Sequence, residues 1–252
     1  MSAKSDIVRN LDVYQENYAS LPFEESQARY RKRKILDSLA KYQPRSILEI
    51  GCGLDPIFNY YANFDRCTIV DPGDDFVRRA REQAQAHHAT TIVHGTLEDN
   101  VDLLLAAHYD FILLSSLLHE IRDSKSLLDA TARLCGPTTI VHINVPNARS
   151  FHRLLALEMG IIGDLFEQSQ TQQRMQQSHT FDIESLAKLV SQSGFQVIEQ
   201  GSFFIKPFTH AQMASLQAAG LMTDLMLDGL YELSKHFPDN GSEIFMNVRL
   251  RT

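Results

Sequence analysis

The chain has 252 residues and a formal net charge of -7, with 44% hydrophobic and 22% charged residues. This composition is typical of a globular domain, and the acidic excess argues against a protein that tracks a nucleic-acid backbone. The N-terminus lacks the apolar run of a signal peptide, no stretch is apolar enough to span a bilayer, and the three cysteines indicate neither disulfides nor a zinc site. We therefore expect a cytoplasmic protein that binds neither membrane nor nucleic acid.

The first two thirds of the chain alternate between helical patterns and short apolar runs. Residues 7–41 show apolar positions at helical spacing. Strands are then predicted at 46–50, 67–70, 90–93, 109–114 and 138–143, with helices at 76–86 and 124–134. Such alternation is typical of βαβ units around a buried parallel sheet.

The last third of the chain is richer in helical patterns. A helical insertion is predicted from 150 to about 177, then a helix at 182–193, a strand at 195–200 that can extend to 205, helix at 210–236 and a strand at 243–250. We predict an α/β, Rossmann-like domain with a mostly parallel seven-stranded sheet, an antiparallel edge strand and a helical cap. Residues 1–41 would form an N-terminal helical lid and 42–252 the domain, with cap insertions at about 150–180 and 208–237.

Glycines and carboxylates mark the ends of the first two predicted strands. Gly51 and Gly53 follow the first strand, where glycine permits positive φ and close approach to a ligand. Asp71 ends the second strand, where a carboxylate can accept hydrogen bonds from two ribose hydroxyls. A dinucleotide-binding turn needs a further glycine where Pro56 stands, and Glu49 would repel a pyrophosphate but suit a cationic sulfonium. A nicotinamide-dependent oxidoreductase is therefore disfavoured.

The next two strands end in further polar segments. After the third strand, Thr96, Leu97 and Glu98 offer backbone and acidic groups that suit an adenine edge. After the fourth strand, the segment that begins at Ser115 can pass beneath a methionine moiety.

Residues 46–145 resemble class I S-adenosylmethionine-dependent methyltransferases. The resemblance is carried by the segment 47–53, Asp71, Glu98 and the end of the fourth predicted strand, which follow the order of the family's motifs. The resemblance implies the fold, a methyltransferase activity and S-adenosylmethionine as cofactor. The implied donor-binding residues are Tyr18, Arg31, Glu49, Gly51, Cys52, Gly53, Asp71, Pro72, Thr96, Leu97, Glu98 and Ser115. Thr96 stands where many family members have an acid. Tyr18 or Arg31, in a leading helix, would meet the donor carboxylate, with ordinary helix packing as the alternative.

Segments 144–148, 150–153, 159–160 and 204–208 resemble methyltransferases of bacterial surface-polysaccharide and glycan biosynthesis. This resemblance implies a small-molecule acceptor that is a sugar, a nucleotide-linked sugar or a sugar substituent. The candidate acceptor-binding residues are Asn147, His152, Arg153, His179 and Lys206. His152 with Arg153 suits an anionic group such as a phosphate. The alternatives are a helix-surface pair for those two, a helix N-terminal turn for His179 and a solvated side chain for Lys206.

His119 is the candidate general base, because it follows the fourth strand and can stand beside the methionine end of the donor. A general base that removes the hydroxyl proton accelerates methyl transfer roughly 10²–10⁴-fold. The alternative interpretation of His119 is a surface histidine or a helix-capping histidine. No cluster with metal-ligand spacing accompanies His119 and Glu120, so no metal is predicted. The leading hypothesis is an O-methyltransferase, monomeric or homodimeric, that acts on a small polar acceptor. N- or C-methylation of another metabolite and a non-catalytic S-adenosylmethionine-binding subunit are the alternatives.

Overall fold

A computed structural model describes residues 22–87 and 89–251 of the chain. The helices are α1 (Glu24–Tyr42), α2 (Asp74–Ala84), α3 (Leu97–Leu104), α4 (Ser124–Arg133), α5 (Phe151–Glu158), α6 (Gln170–Arg174), α7 (Ile183–Gln192), α8 (His210–Ala218) and α9 (Asp224–Glu232), with 3₁₀ turns at Ile57–Asn59 and Leu233–Lys235. The strands are β1 (Ser46–Ile50), β2 (Arg66–Asp71), β3 (Thr90–His94), β4 (Tyr109–Ser115), β5 (Cys135–Pro146), β6 (Phe195–Phe203) and β7 (Glu243–Leu250).

The strands form one seven-stranded sheet in the order β3-β2-β1-β4-β5-β7-β6. The pairs from β3 to β5 are parallel. Strand β7 runs antiparallel to both β5 and β6, between which it lies. The predicted Rossmann-like α/β fold with a mostly parallel, seven-stranded sheet is confirmed.

Both faces of the sheet are covered, which explains the continuous apolar sequences of its central strands. Successive residues of β1 point to opposite faces. Ile47 belongs to a core cluster with Leu39 of α1, whereas Leu48 belongs to a second cluster with Leu128 of α4. The inner strands are therefore held in place from both sides, and their carboxyl ends form a common edge where ligands of such folds bind.

Two elements differ from the sequence predictions. Helix α3 was not predicted, although Thr96 caps it by accepting a hydrogen bond from the Asp99 N–H at 3.2 Å. The helical insertion predicted from 150 to about 177 contains two short helices with a long break between them. Helix α5 ends at Glu158, followed by Gly160 with a φ of 69°, and helix resumes only in α6.

The predicted leading helix is described from Glu24 onward as α1. Its earlier part, including the candidate donor-binding residue Tyr18, lies outside the described residues. Within the described ranges, no helix combines the length and the apolar character needed to cross a membrane.

Candidate active site

The carboxylate of Asp71 holds the glycine turn that follows β1. Asp71 is 3% exposed, and its Oδ2 accepts a hydrogen bond from the Cys52 N–H at 2.9 Å. Its Oδ1 accepts from the Gly73 N–H at 2.8 Å. Burial raises the pKa of Asp71, although the hydrogen bonds from the backbone act in the opposite direction. The turn and the end of β2 are therefore fixed to each other through one side chain.

The turn leaves room for a ligand. Gly51 and Gly53 have φ angles of 76° and 57°, which glycine adopts at little cost. A Cβ on Gly53 would meet no atom within 4 Å, and one on Gly51 would touch Leu117 Cδ1 at 3.4 Å. A carboxylate offers about four acceptor positions. Oδ2 accepts from the Cys52 N–H and lies 3.6 Å from the Cys52 thiol, whereas Oδ1 accepts from the Gly73 N–H and keeps acceptor capacity for a ribose hydroxyl. These features fit a nucleoside donor with its ribose at Asp71 and its methionine portion along the two glycines.

Glu49 supports the segment that follows the turn. Its carboxylate is buried and accepts a hydrogen bond from the Ile57 N–H at 2.9 Å, where the first 3₁₀ turn begins. Burial raises the pKa of Glu49 to about 8, and the Ile57 N–H and the nearby Lys32 ammonium oppose that rise. Direct contact of Glu49 with the donor stays a prediction.

The residues predicted for the adenine lie at the start of α3. The side chain of Thr96 is used as the helix cap, and Leu97 is 2% exposed in the core. The Glu98 side chain is exposed. A contact from Leu97 to an adenine would therefore have to come from its backbone, whereas Glu98 is free to reach solvent or ligand. Pro72, also exposed, follows directly after Asp71.

A cavity of about 340 Å³ lies at the carboxyl ends of β4 and β5. Its wall includes Ser116, which directly follows β4. The next residue, Leu117, packs against Gly51 of the glycine turn. The cavity therefore adjoins the glycine turn. Among the residues predicted from sequence, it is lined by Arg31, His119, Asn147, His152, Arg153, His179 and Lys206.

His119 is 3% exposed, and its Nε2 lies 3.7 Å from Glu120 Oε1. Its carbonyl oxygen accepts hydrogen bonds from the N–H groups of Ser178 and His179 at 2.8 and 3.0 Å. The loop after β4 is thereby joined to the cap. A buried imidazole beside a carboxylate, at the end of the strand next to β1, can take up a proton because the carboxylate stabilises the imidazolium.

Three of the five predicted acceptor-binding side chains contact backbone carbonyl groups of the protein. The Arg153 guanidinium donates to the carbonyls of Leu165 at 2.8 Å and Glu167 at 2.6 Å. Asn147 Nδ2 donates to two carbonyls of the 239–241 loop at 2.9 Å. His179 Nε2 lies 2.9 Å from the Arg122 carbonyl. His152 and Lys206 line the cavity.

Arg31 lines the same cavity and is held by two carboxylates. Its Nη2 donates to Glu243 Oε1 at 2.8 Å, and its Nη1 donates to Glu24 Oε1 at 3.1 Å. Glu243, 2% exposed, also accepts from the side-chain amides of Gln27 and Asn144 at 2.8 Å. The sequence predicts a donor-carboxylate contact for Arg31; in the structure its guanidinium joins α1 to β7.

Sequence reasoning did not identify Glu243 or Gln27 as parts of this site. Glu243 is the first residue of β7, and the alternation of that strand does not distinguish a buried glutamate from an exposed one. Its partners on α1, Gln27 and Arg31, are at least 212 residues away in sequence. Among the described residues, no group of three or more His, Cys, Asp or Glu side chains could hold a metal ion.

Comparisons with known proteins agree with this geometry. Residues 24–200 match a family model described as a methyltransferase domain. None of the curated proteins matches the chain.

Several solved structures are similar in fold. The plantazolicin methyltransferase BamL, in complex with a triazolic desmethylPZN analog and SAH, is 16% identical over 95% of this chain and 94% of its own, with a TM-score of 0.58. The N-methyltransferase NodS from Bradyrhizobium japonicum WM9, in complex with S-adenosyl-l-homocysteine, is 13% identical over 95% and 99%, with a TM-score of 0.57. The O-methyltransferase NcsB1 from neocarzinostatin biosynthesis, in complex with S-adenosylmethionine and 2-hydroxy-5-methyl naphthoic acid, is 12% identical over 82% and 49%, with a TM-score of 0.50.

At these identities the solved structures show a shared fold, and the family model covers more than half of the chain. With the glycine turn and Asp71 suited to a nucleoside donor, the chain belongs to the methyltransferase-domain family and is an S-adenosylmethionine-dependent methyltransferase.

Proposed function

We propose that the protein methylates a hydroxyl oxygen of a small polar acceptor bound in the cavity at the ends of β4 and β5. A sugar, a nucleotide-linked sugar or a sugar substituent is the acceptor class we favour, with a role in surface-polysaccharide biosynthesis in the cytoplasm. The segments that carry the resemblance to glycan methyltransferases supply Asn147, His152 and Lys206 to the cavity wall. The polar side chains that line the cavity beside its apolar surface support an acceptor with hydrogen-bonding groups.

Binding of the donor is assigned to the turn after β1. Gly51 and Gly53 would accommodate its methionine portion, and Asp71 would accept hydrogen bonds from its ribose. When bound, S-adenosylmethionine supplies an electrophilic methyl carbon. The chain has to hold the acceptor oxygen in line with that carbon, which contributes several kcal/mol and up to roughly 7–11 in model reactions.

The position of His119 carries the proposal for an oxygen acceptor. A hydroxyl group is a weak nucleophile until its proton is removed, and His119 is a buried base on the cavity wall. The hydroxyl proton would pass to a ring nitrogen of His119. The Glu120 carboxylate, 3.7 Å from His119 Nε2, would then stabilise the imidazolium.

We further propose that residues 1–41 form a lid over this cavity in a protein that acts as a monomer or homodimer. Helix α1, the described part of that segment, supplies Glu24, Gln27 and Arg31 to the cavity wall. A lid excludes water, which strengthens electrostatic interactions around the acceptor.

The proposal is tested by incubating the protein with methyl-labelled S-adenosylmethionine and pairs of acceptors that differ only in a hydroxyl or an amino group. Mass spectrometry of the products should show label on the hydroxyl compounds. Label on the amino compounds alone would contradict O-methylation and support N-methylation. Absence of label throughout the panel, with donor binding intact, would support a non-catalytic binding subunit.

A further inference from the structure

Lys206 is a buried cation that lines the acceptor cavity. It follows Phe204 and Ile205, which are buried in the core after β6, and it is itself 5% exposed. Among the described residues, no hydrogen bond or ion pair engages its ammonium group. A buried ammonium without a partner is costly, so burial lowers the pKa of Lys206 to about 7.

Two histidines lie close to the Lys206 ammonium. His152 of α5 and His210 of α8 both line the same cavity, and Lys206 acts on both of them electrostatically. The buried Nδ1 of His152 has no hydrogen-bond partner in the described part of the chain. Burial, reinforced by Lys206, lowers the pKa of His210 to about 3 and that of His152 well below its usual value. Both rings are therefore neutral near pH 7, and a neutral imidazole can donate one N–H hydrogen bond to an anion.

The other charged groups that face Lys206 are already engaged with one another. They are Glu24 and Arg31 of α1 and Glu243 of β7. Arg31 donates to both glutamates, and Glu243 also accepts from two side-chain amides. The exposed fraction of the Glu24 and Arg31 side chains is 12% in each case, so this network is shielded from water. Glu24 and Glu243 stabilise the Lys206 ammonium electrostatically and Arg31 opposes them, but none of the three forms a hydrogen bond or ion pair with it. Among the described residues, Lys206 is thus a cation of this part of the cavity without a directly bound partner.

We propose that Lys206, with His152 and His210 beside it, forms a subsite for an anionic group of the acceptor, a carboxylate or a phosphate. The inference rests on the proposed function, because it assigns part of the acceptor to the same cavity. It also moves the predicted anion contact from Arg153, whose guanidinium braces the cap, to Lys206. A charge-assisted hydrogen bond from the ammonium would remove the cost of burying it alone.

The pH dependence of anion binding has a definite sign. An anion beside Lys206 raises the pKa of its ammonium toward its usual value, so binding takes up a proton. Above a pH of about 7 the free protein must first acquire that proton, and the affinity for anions falls. With a pKa of about 7, the protonated fraction of Lys206 falls about tenfold between pH 6 and pH 8. The affinity for anions should therefore be about tenfold lower at pH 8 than at pH 6.

Sulfate is a suitable probe because it remains a dianion from pH 6 to pH 8. It would be titrated calorimetrically at constant ionic strength into protein saturated with S-adenosylhomocysteine, at pH 6, 7 and 8. The test variant is Lys206→Met, which keeps the length of the side chain but removes the charge. The matched control is Lys188→Met, at an exposed position on α7.

We expect saturable sulfate binding to the wild type and to Lys188→Met, about tenfold weaker at pH 8. Lys206→Met should lose at least tenfold in affinity at pH 6, together with the pH dependence, while it binds S-adenosylhomocysteine as the wild type does. Equal sulfate binding by Lys206→Met and the wild type would overturn the subsite, as would a wild type that shows no saturable binding. Either result leaves methyl transfer to a neutral acceptor standing. Failure of the acceptor panel with sulfate binding intact would instead overturn the proposed function.

Discussion

Asp71 fixes the turn after β1 to the end of β2, because it accepts hydrogen bonds from the N–H groups of Cys52 and Gly73. We propose that it also accepts hydrogen bonds from the ribose of the donor. The proposed donor site is thereby organised before the donor arrives, which reduces the ordering cost of binding. The spacing of Gly51, Gly53 and Asp71 could be found in sequence, because each residue type answers a local requirement at a strand end.

The open space at Gly53 gives a prediction for donor binding. Gly53→Ala adds a methyl group that meets no protein atom within 4 Å, so the fold loses only roughly 1–2 kcal/mol for an alanine at positive φ. The same methyl group projects where the donor would lie, and we expect its affinity to fall at least about tenfold. Calorimetry with S-adenosylhomocysteine measures this loss.

Gly220→Ala is the control for that experiment, because Gly220 has a φ of 71° and equally open surroundings on the cap. It should carry the same backbone cost and leave donor affinity unchanged. If the two variants bind S-adenosylhomocysteine equally well, the donor does not lie against Gly53.

His119→Ala tests the role of the buried imidazole. We expect kcat to fall by roughly 10²–10⁴-fold, because the acceptor hydroxyl loses its base, while the Kd of S-adenosylhomocysteine stays unchanged. His236→Ala, at an exposed position after the second 3₁₀ turn, is the control and should be fully active. Unchanged turnover in His119→Ala would remove this histidine from the proposed chemistry.

At the level of elements, the strands were predictable because their apolar runs are continuous and end in glycine or polar residues. Helix α3 was missed because its eight residues lie between two strands with only three buried positions. The cap was predicted as helical without its internal breaks. Its side-chain roles could not be predicted, because Arg153 and Asn147 bind carbonyl groups that folding alone brings near.

The link between α1 and β7 is the clearest long-range contact that sequence does not reveal. Arg31→Met would leave the Glu243 carboxylate buried without its guanidinium, at a cost of roughly 3–5 kcal/mol in the free energy of unfolding. Urea unfolding measures this loss. Arg78→Met removes an exposed ion pair with Asp75 and should cost no more than about 1 kcal/mol.

The same variants decide between the two roles considered for Arg31. A similar free energy of unfolding for Arg31→Met and Arg78→Met would contradict the structural role. A large loss of S-adenosylhomocysteine affinity in a stable Arg31→Met protein would instead support contact with the donor carboxylate.

For the whole molecule, buried neutral histidines link folding to pH. His142 is fully buried, with its ring between those of Phe111 and Phe245 and its Nδ1 2.7 Å from Asn247 Oδ1. Burial lowers the pKa of His142 to about 4, against about 6.5 in an unfolded chain. The pKa values of His152 and His210 are lowered for the same reason. The unfolded chain therefore binds more protons at these residues below pH 6.5, and their contribution to stability is lost as the pH falls.

Glu49 and Asp71 act in the opposite direction, because burial raises the pKa of Glu49 to about 8 and also raises that of Asp71, so the folded state binds protons more readily at these carboxylates as the pH falls. The three histidines outnumber these two carboxylates, and we expect the free energy of unfolding to decrease from pH 6 to pH 4. Each histidine contributes a slope of up to about 1.4 kcal/mol per pH unit. Urea unfolding of His142→Leu over this range should show a slope smaller by about that amount. An identical slope in the variant and the wild type would exclude His142 as a source.

We propose that the turn after β1 and the end of β2 together bind a sulfonium nucleoside, and a crystal structure of the protein with S-adenosylhomocysteine would test this binding site. We expect the ribose hydroxyls within hydrogen-bond distance of Asp71, the homocysteine portion along Gly51 and Gly53, and the sulfur facing the cavity that holds His119. A nucleoside bound elsewhere on the chain, with Asp71 contacting only Cys52 and its other protein partners, would contradict the proposal.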